Sequence, residues 1–432
     1  MTAHDPTRRR VLGVGAGLVV SVVTGGCRGA SSAGASGEPG SAQPASPGAA
    51  APSPNPAGEA RPVTPADAHP GRYVNLRGPD GYVYAPGAQG ARPSDPLYAA
   101  FDLVVTDLAT GGELAVSVPF PAHSASVSPD GRYVVLVEKW GAHTCTVDLS
   151  VGEVVAEWIH PTDHQFVGHA VFTADGERVL VSEGHFPDTP EGYARGILGV
   201  RDPRTLVQWR SIPSHGENPH ELALVDDGRT VVVANQGTVN RIPETASNLA
   251  YVDVETGALI EQHHLARTDV LMAHLRVVDD STVVVVTKSK DVSPRGNDVL
   301  VHRRGMALEP IAWGEDLADT FVDEILSVDV DRARRRLGAT CPEAGRVLFV
   351  DIDARAVAGV LVLERPLGIA LTADGRHWLI NDIAAGRVVV VDAASLAVLD
   401  DEAARAALGG VPAAFVDTTF TAPHSLITTR GV

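Results

Sequence analysis

The chain has 432 residues, with 53 acidic side chains against 35 basic ones and a formal net charge of −18 at pH 7. An acidic surface repels nucleic acid, and the sequence shows neither a basic stripe nor an aromatic platform on which bases would stack. The composition therefore argues against nucleic acid as a partner.

The first residues have the pattern of an export signal. The segment TRRRVL contains Arg8 and Arg9 in the arrangement of a twin-arginine motif. The apolar run that follows, Val11–Val23, is too short and too rich in glycine for a membrane span and is typical of a signal peptide. It leads into the segment VTGGC, which has the pattern of a lipobox, and Cys27 is the residue that would receive the lipid. The alternative is an ordinary cleaved signal beside an incidental cysteine.

Three regions are predicted along the chain. Residues 1–27 form the twin-arginine lipoprotein signal. Residues 28–70 consist almost wholly of Ala, Ser, Pro and Gly, so they cannot bury enough apolar surface to offset their ordering entropy and are predicted to be a disordered tether. Residues 71–432 form the folded domain. This organisation predicts a protein anchored by lipid to the outer face of the cytoplasmic membrane, or otherwise periplasmic.

The folded region repeats one sequence pattern, which consists of an apolar strand, a turn centred on Asp-Gly and a second apolar strand. The copies are SASVSPDGRYVVLV (124–137), AVFTADGERVLV (170–181), ELALVDDGRTVVVA (221–234), LRVVDDSTVVVV (275–286), the degenerate ILSVDVDRARRRLGA (325–339) and IALTADGRHWLI (369–380). Two further strand-like pieces follow each copy, which predicts a four-stranded antiparallel blade.

The repeats predict an all-β fold, a seven-bladed β-propeller closed by strands from both ends of the chain. The C-terminal segment PHSLITT (423–429) has the pattern of a first blade strand. Pieces near Tyr82–Tyr84, Asp102–Leu108 and Glu113–Pro119 would supply the other strands of that blade. Closure of this kind leaves no free sheet edge. Six blades with an irregular appendage is the alternative.

Histidine occupies the start of the first strand in five of the seven blades. First strands line the central channel of a propeller, so these positions are expected at one height around its axis, in a ring at one mouth. They are His123, His169, His220, His274 and His424, with Glu324 and Gly368 at the two remaining positions. The ring is predicted to hold a transition metal (Fe, Cu or Zn), with Glu324 completing the ligand set. A channel too wide for all five would leave only two or three on one ion.

A second tier of polar residues stops the apolar run of the second strand in each blade. We expect these side chains at the same mouth, as acceptors for the distal ring N–H groups of the histidines. They are Glu138, Glu183, Asn235 and Asp382, with Thr287 at the equivalent position of a fifth blade. The alternative for any single ring histidine is a plain hydrogen bond to the backbone of a neighbouring blade.

Several segments resemble a bacterial family of twin-arginine-exported seven-bladed propellers found near imelysin-type lipoproteins and di-haem oxidoreductases, in clusters linked to iron uptake. The segments are GHAVFTADG (168–176), SHGENPHELALVDDGRTVVVANQGT (214–238), NLAYVDVETGALIEQH (248–263) and PHSLITTR (423–430). More distantly, the strands that begin with histidine are similar to YVTN-type propellers and to the propeller of nitrous-oxide reductase, which holds copper on histidines. The resemblance implies the fold and export, and a metal-uptake or redox protein as partner.

The function expected from the sequence is that of an exported, monomeric, metal-linked binding propeller for iron or copper. No nucleophile elbow, phosphate loop or zinc-protease helix appears in the sequence, so an enzyme is the less favoured interpretation. Two other functions stay open. One is a protein-interaction scaffold, for which the histidines would be dispensable. The other is a hydrolase resembling lactonase propellers, which would need a carboxylate-and-histidine site.

The N-terminal assignment makes a direct prediction. Replacing Arg8 and Arg9 should block export, because the twin-arginine pair addresses the precursor, and Cys27→Ala should release the exported protein in soluble form, because lipid no longer anchors it. Fractionation of cells expressing each variant measures both outcomes. A Cys27→Ala protein that still sediments with membranes contradicts the lipid anchor.

Overall fold

The computed structural model describes residues 69–78, 101–161, 163–185, 195–237, 245–267, 269–289, 297–313, 317, 324–409, 411, 415, 420 and 424–428. Arg8, Arg9, Cys27 and all but the last two residues of the predicted tether lie outside these ranges, so the signal and the tether stay predictions. Within the described part, no helix has the length and hydropathy needed to cross a bilayer.

Seven antiparallel sheets follow one another and form the blades of a β-propeller, as the repeats predict. The first blade comprises Arg72–Arg77 (β1), Phe101–Asp107 (β2), Glu113–Val118 (β3) and Leu426–Thr428 (β28). The second comprises Ser124–Val127 (β4), Tyr133–Val137 (β5), His143–Asp148 (β7) and Glu153–Ile159 (β8). The third comprises His164–Phe172 (β9), Val179–His185 (β10), Arg195–Arg201 (β11) and Gln208–Glu217 (β12), joined at its inner edge by Lys139–Gly141 (β6).

The remaining four blades continue the same order along the chain. The fourth comprises Pro219–Val225 (β13), Thr230–Asn235 (β14), Asn248–Asp253 (β15) and Leu259–His264 (β16). The fifth comprises Val270–Asp279 (β17), Thr282–Ser289 (β18), Val299–Arg303 (β19) and Glu309–Pro310 (β20). The sixth comprises Val328–Asp331 (β21), Arg336–Cys341 (β22), Arg346–Asp351 (β23) and Ala356–Val362 (β24). The seventh comprises Pro366–Leu371 (β25), His377–Asp382 (β26) and Arg387–Asp392 (β27), with a bridge from Val391 to Val398 in its fourth position, followed by the helix Asp401–Ala407 (α1).

The Asp-Gly turns form the hairpins between the first two strands of several blades. Gly131, Gly176 and Gly375 each adopt a positive φ, between 68° and 78°, which an Asp-Gly turn accommodates without a steric penalty. The strands on both sides are mostly buried, and their valines and leucines pack between neighbouring blades. Cys145 and Cys341 are buried in two different interblade clusters and are unpaired thiols.

The first blade is closed by both ends of the described chain. Strand β28 pairs with β1 in antiparallel register, from Leu426 opposite Val74 to Thr428 opposite Arg72. The Ser425 hydroxyl lies 2.6 Å from the Tyr73 hydroxyl. The prediction of shared closure is confirmed, but the strand beside β28 is β1, whereas the predicted piece at Tyr82–Tyr84 lies outside the described residues.

Deletion of residues 421–432 removes the innermost strand of the closing blade. We expect the free energy of unfolding to fall by several kcal/mol, more than the about 1 kcal/mol typical of one substitution, because the deletion exposes the edge of β1 and opens the ring. Urea unfolding measures the change, and deletion of residues 431–432, which leaves β28 in place, is the matched control. Equal stability of the two truncated proteins would contradict closure by β28.

Candidate metal centre

Four of the predicted histidines converge on the propeller axis. His123, His169, His220 and His274 each offer a ring nitrogen, and these four atoms all lie within 4.8 Å of one another. Each residue is at most 5% exposed. The channel is therefore narrow enough at this level for four blades to present imidazoles to one point.

The fifth histidine joins the same cluster from the closing blade. Nε2 of His424 lies 3.3 Å from Nε2 of His123, and its ring centroid lies 4.4 Å from that of His274. The cluster of His123, His169, His220, His274 and His424 is called the histidine ring below. It is the arrangement that the aligned repeats predict.

Local irregularities in the inner strands direct these side chains toward the axis. The pairing of β9 with β10 shifts register beside His169, and that of β13 with β14 shifts between Pro219 and Leu222, on either side of His220. The pairing of β17 with β18 shifts in the same way around His274. A β-bulge re-aims a side chain because it breaks the alternation of the strand. Three inner strands therefore have a register shift at the level of their ring histidine.

Close packing in the ring depends on a glycine. Gly168 immediately precedes His169 and has a φ of +114°, a conformation that L side chains rarely adopt. A Cβ atom at this position would lie 2.6 Å from Cδ2 of His123. The absence of a side chain lets β9 approach the neighbouring histidine and brings the two imidazoles together.

Hydrogen bonds fix the orientation of two ring histidines. Nδ1 of His220 donates to the carbonyl oxygen of Val167 at 2.8 Å, and Nδ1 of His274 donates to Oε2 of Glu221 at 3.0 Å. Each Nε2 is therefore left with a lone pair. Nε2 of His274 is buried without a hydrogen-bond partner, and so is Nε2 of His169. Buried polar atoms of this kind are costly, so two unpartnered nitrogens facing one point indicate a ligand site.

Glu221 supports the ring from one side and was not predicted from the sequence. Its Oε1 lies 3.8 Å from Nδ1 of His169, and its Oε2 also accepts from the backbone N–H of Leu275. Burial raises the pKa of Glu221, but Arg276, which forms an ion pair with it, and the backbone N–H of Leu275 act in the opposite direction, and that pKa lies below its usual value. The only signal in the sequence is its position directly after His220.

Glu324 lies near the ring but is engaged by a lysine. Its Oε2 accepts from Nζ of Lys288 at 3.1 Å, while its Oε1 is buried without a hydrogen-bond partner. Nζ of Lys139 lies 3.3 Å from Nε2 of His220. Burial lowers the pKa of Lys139 to about 8, with Glu324 acting in the opposite direction. The expected carboxylate ligand is thus part of a charged group beside the ring.

Two of the predicted acceptors bind other partners. Oε2 of Glu138 accepts from the backbone N–H and from Nδ1 of His143, both at 3.0 Å. Glu183 forms a fully buried ion pair with Arg201, 2.8 Å between Oε1 and the guanidinium, and its Oε2 lies 3.3 Å from Nε2 of His160. Glu138 and Glu183 were expected to accept hydrogen bonds from the ring histidines. Instead, both carboxylates bind residues of outer strands and loops.

The other two predicted acceptors stabilise strand ends. Nδ2 of Asn235 donates to the carbonyl of Ser214 and to the side chain of Asn248. Asp382 accepts from the backbone N–H groups of Glu364 and Arg365. Asn235 and Asp382 therefore contact neighbouring strands and a turn, and the acceptor role expected of them belongs to Glu221.

Burial keeps the histidine ring uncharged. It holds the pKa of the four converging histidines well below the usual value of 6.5; Lys139 acts in the same direction on His123, His220 and His274, whereas Glu221 opposes burial at His169. Burial likewise lowers the pKa of His424 to about 3. A neutral imidazole offers a lone pair, which is the form that binds a metal ion.

A cavity of about 640 Å³ reaches the ring along the channel. Its lining includes His169, His424 and Glu221, together with Arg276 and Asp329. Nε of Arg276 lies 3.9 Å from Oδ1 of Asp329, so this lining carries paired charges. The cavity gives a small ion or molecule a route to the ring.

Comparison with known proteins identifies the family and supports the fold. A family model described as "Protein of unknown function (DUF1513)" matches residues 116–407. The chain is 15% identical to a structure titled "Kuenenia stuttgartiensis Hydrazine Synthase", with a TM-score of 0.55 over 73% of this chain and 99% of that one. It is 14% identical to the Cps50 (Swd1) β-propeller domain of Myceliophteria thermophila, with a TM-score of 0.51 over 68% of this chain and 91% of that one. At these identities the likeness concerns the fold alone, and no curated protein matches the chain by sequence.

The buried neutral ring makes the metal-free protein sensitive to acid. Below pH 6.5 the histidines of the unfolded chain bind protons, whereas those of the folded ring stay neutral down to their lowered pKa. The free energy of unfolding should therefore fall with pH from 6.5 downward, by up to about 1.4 kcal/mol per pH unit for each histidine. Urea unfolding between pH 7.5 and 5 measures this slope.

Matched variants isolate the contribution of the ring. His274→Asn should reduce the slope by up to about 1.4 kcal/mol per pH unit, because it removes one suppressed protonation site. The same change at the exposed His264 should leave the slope of the parent protein unchanged. A His274→Asn slope equal to that of the parent would show that the ring histidine titrates normally in the folded protein.

Proposed function

The chain belongs to the DUF1513 family, whose description assigns no activity. We propose, from the histidine ring, that it is an exported binding propeller that holds a transition metal ion. Its role would be accessory to metal uptake or redox chemistry. The observation that carries this proposal is the convergence of four buried imidazole nitrogens within 4.8 Å of one another. In this proposal the four imidazoles are the ligands of one metal ion.

The metal-free ring is energetically costly. Nε2 of His169 and Nε2 of His274 are buried without partners, and each such atom costs about 1–3 kcal/mol. A metal ion would satisfy both at once. Glu221, through its hydrogen bond to Nδ1 of His274, would fix the tautomer and raise the basicity of that imidazole, as carboxylates do beside metal-bound histidines.

The donor set favours a borderline transition metal. Imidazole nitrogens suit Fe, Cu, Ni and Zn, whereas Mg²⁺ and Ca²⁺ prefer oxygen ligands. Four or five imidazoles with no thiolate among them agree with the iron or copper expected from the sequence, and Zn²⁺ is compatible with the same ligands. Glu324 would join the shell if it exchanged its bond to Lys288 for the ion.

Export and anchoring would place this site outside the cytoplasm. The proposal takes the twin-arginine motif at Arg8 and Arg9 and the lipidation site at Cys27 from the sequence. A lipid anchor would keep the propeller beside a membrane-bound partner in metal uptake or electron transfer. The twin-arginine route carries folded proteins, which is compatible with loading of the ring before export.

Removing two ring ligands tests the proposal. Simultaneous replacement of His169 and His220 by alanine should abolish high-affinity binding of Cu²⁺ and Zn²⁺, because two of the four converging nitrogens are lost. Calorimetric titration of metal-stripped protein measures the affinity. Wild-type protein should also gain thermal stability as the metal concentration rises above the dissociation constant, whereas the double variant should not.

A second double variant serves as control. Asp163, His164 and His185 form a more exposed group whose ligand atoms also lie within 4.8 Å of one another. Replacing His164 and His185 by alanine removes the same number of imidazoles from the third blade without touching the ring, and tight binding should persist. Unchanged binding in the His169/His220 variant, or loss only in the His164/His185 variant, would refute the ring as the site and favour a scaffold with a dispensable ring.

A further inference from the structure

A buried ammonium group lies directly against the histidine ring. Lys139 is 6% exposed, and its Nζ lies 3.3 Å from Nε2 of His220. Strand β6, which contains it, leaves the second blade and pairs with β9 of the third. The next residue, Trp140, has a φ of +59°, an uncommon conformation for a bulky residue. The chain thus adopts a strained path that places a lysine at the ring, and strain of this kind is concentrated at functional sites.

Within the described part of the chain, no carboxylate lies in direct contact with this lysine. Glu324 bonds to Lys288, and Glu221 pairs with Arg276. Among the described residues, the hydrogen-bond partner of Lys139 is the imidazole of His220, while Glu324 acts on it through its charge. A buried cation with so little compensation is costly, which points to a role in binding.

Metal binding would create a conflict at this position. Nδ1 of His220 is committed to the carbonyl of Val167, so Nε2 is its only metal-binding atom, and that atom now accepts from Lys139. An ion that takes this lone pair deprives the ammonium of its acceptor and adds positive charge beside it. A small anion between the ion and the ammonium would remove both difficulties, because it binds the metal and accepts a charge-assisted hydrogen bond.

We propose that the ring binds its metal ion together with a small inorganic anion, such as hydroxide, a halide or azide, and that Lys139 holds this anion in an open coordination position. This inference rests on the proposed metal site. It makes the centre one with an exchangeable ligand rather than a closed structural site, which is the distinction between metal centres that react and those that only stabilise. Lys139 is then a positioning residue for whatever anionic ligand the metal carries.

Azide binding to copper-loaded protein tests the proposal. The full chain is loaded with one equivalent of Cu²⁺ and titrated with azide, which is followed by the azide-to-copper charge-transfer absorption. Lys139→Met should weaken azide binding about tenfold or more, because a charge-assisted hydrogen bond is lost, while Cu²⁺ binds as tightly as before or more tightly. Arg204→Met, which removes a positive charge from an exposed ion pair with Glu177, should change azide affinity by less than about threefold.

The outcomes separate the two proposals. If wild-type protein fails to bind Cu²⁺ at the ring, the proposed function and this inference both fall. If Cu²⁺ binds but azide affinity is the same in wild-type and Lys139→Met protein, or falls equally in Arg204→Met, the role of Lys139 alone is refuted. Should Lys139→Met not fold, Lys139→Gln makes the same prediction, and Lys139→Arg, which restores the charge, should recover azide binding.

Discussion

The burial of uncharged imidazoles on the propeller axis is the constraint on which the rest of the centre depends. Each of these side chains loses its hydration, so each needs a partner for at least one ring nitrogen. The protein supplies such a partner at Nδ1 through the carbonyl of Val167 for His220 and through Glu221 for His274. Satisfying one nitrogen fixes the tautomer and leaves the other as a lone pair aimed at the axis. The hydrogen bonds that satisfy Nδ1 of these two histidines are therefore the same contacts that turn the Nε2 lone pair toward the axis.

That constraint explains the irregular backbone at this level of the channel. A regular inner strand would turn alternate residues toward the two neighbouring blades, and valine would be the natural choice at every position. The register shifts beside His169, His220 and His274 interrupt this alternation where an imidazole must reach the axis. Gly168 makes the closest approach possible, since any Cβ would collide with His123. The register shifts and Gly168 weaken the sheets locally, but they allow the histidines to come together at the axis.

The sequence predicts the regular parts of this molecule well and the irregular parts poorly. Repeated Asp-Gly turns and valine-rich strands identify the blades, and alignment on those turns finds every ring histidine, because equivalent positions in a propeller share a height. The same logic fails for Glu138 and Asp382, since the end of a second strand meets loop backbone and side chains that the repeat does not encode. It also misses Glu221, because strict alternation would turn the neighbour of His220 away from the axis, whereas the bulge keeps both residues there.

The balance of charge around the ring determines what it is suited to hold. Arg276 is placed between Glu221 and Asp329, where burial raises the pKa of Asp329 although Arg276 opposes it. Lys288 and Glu324 form a second pair, and the imidazoles themselves are neutral. The carboxylates near the ring already have cationic partners, so none of these three is free to offset the charge of a divalent ion. An ion that enters must therefore carry a low charge, displace one of these pairs, or arrive with a counter-charge of its own. For the proposed metal site, this balance of charge, together with the buried ammonium of Lys139, favours an ion that is accompanied by an anion.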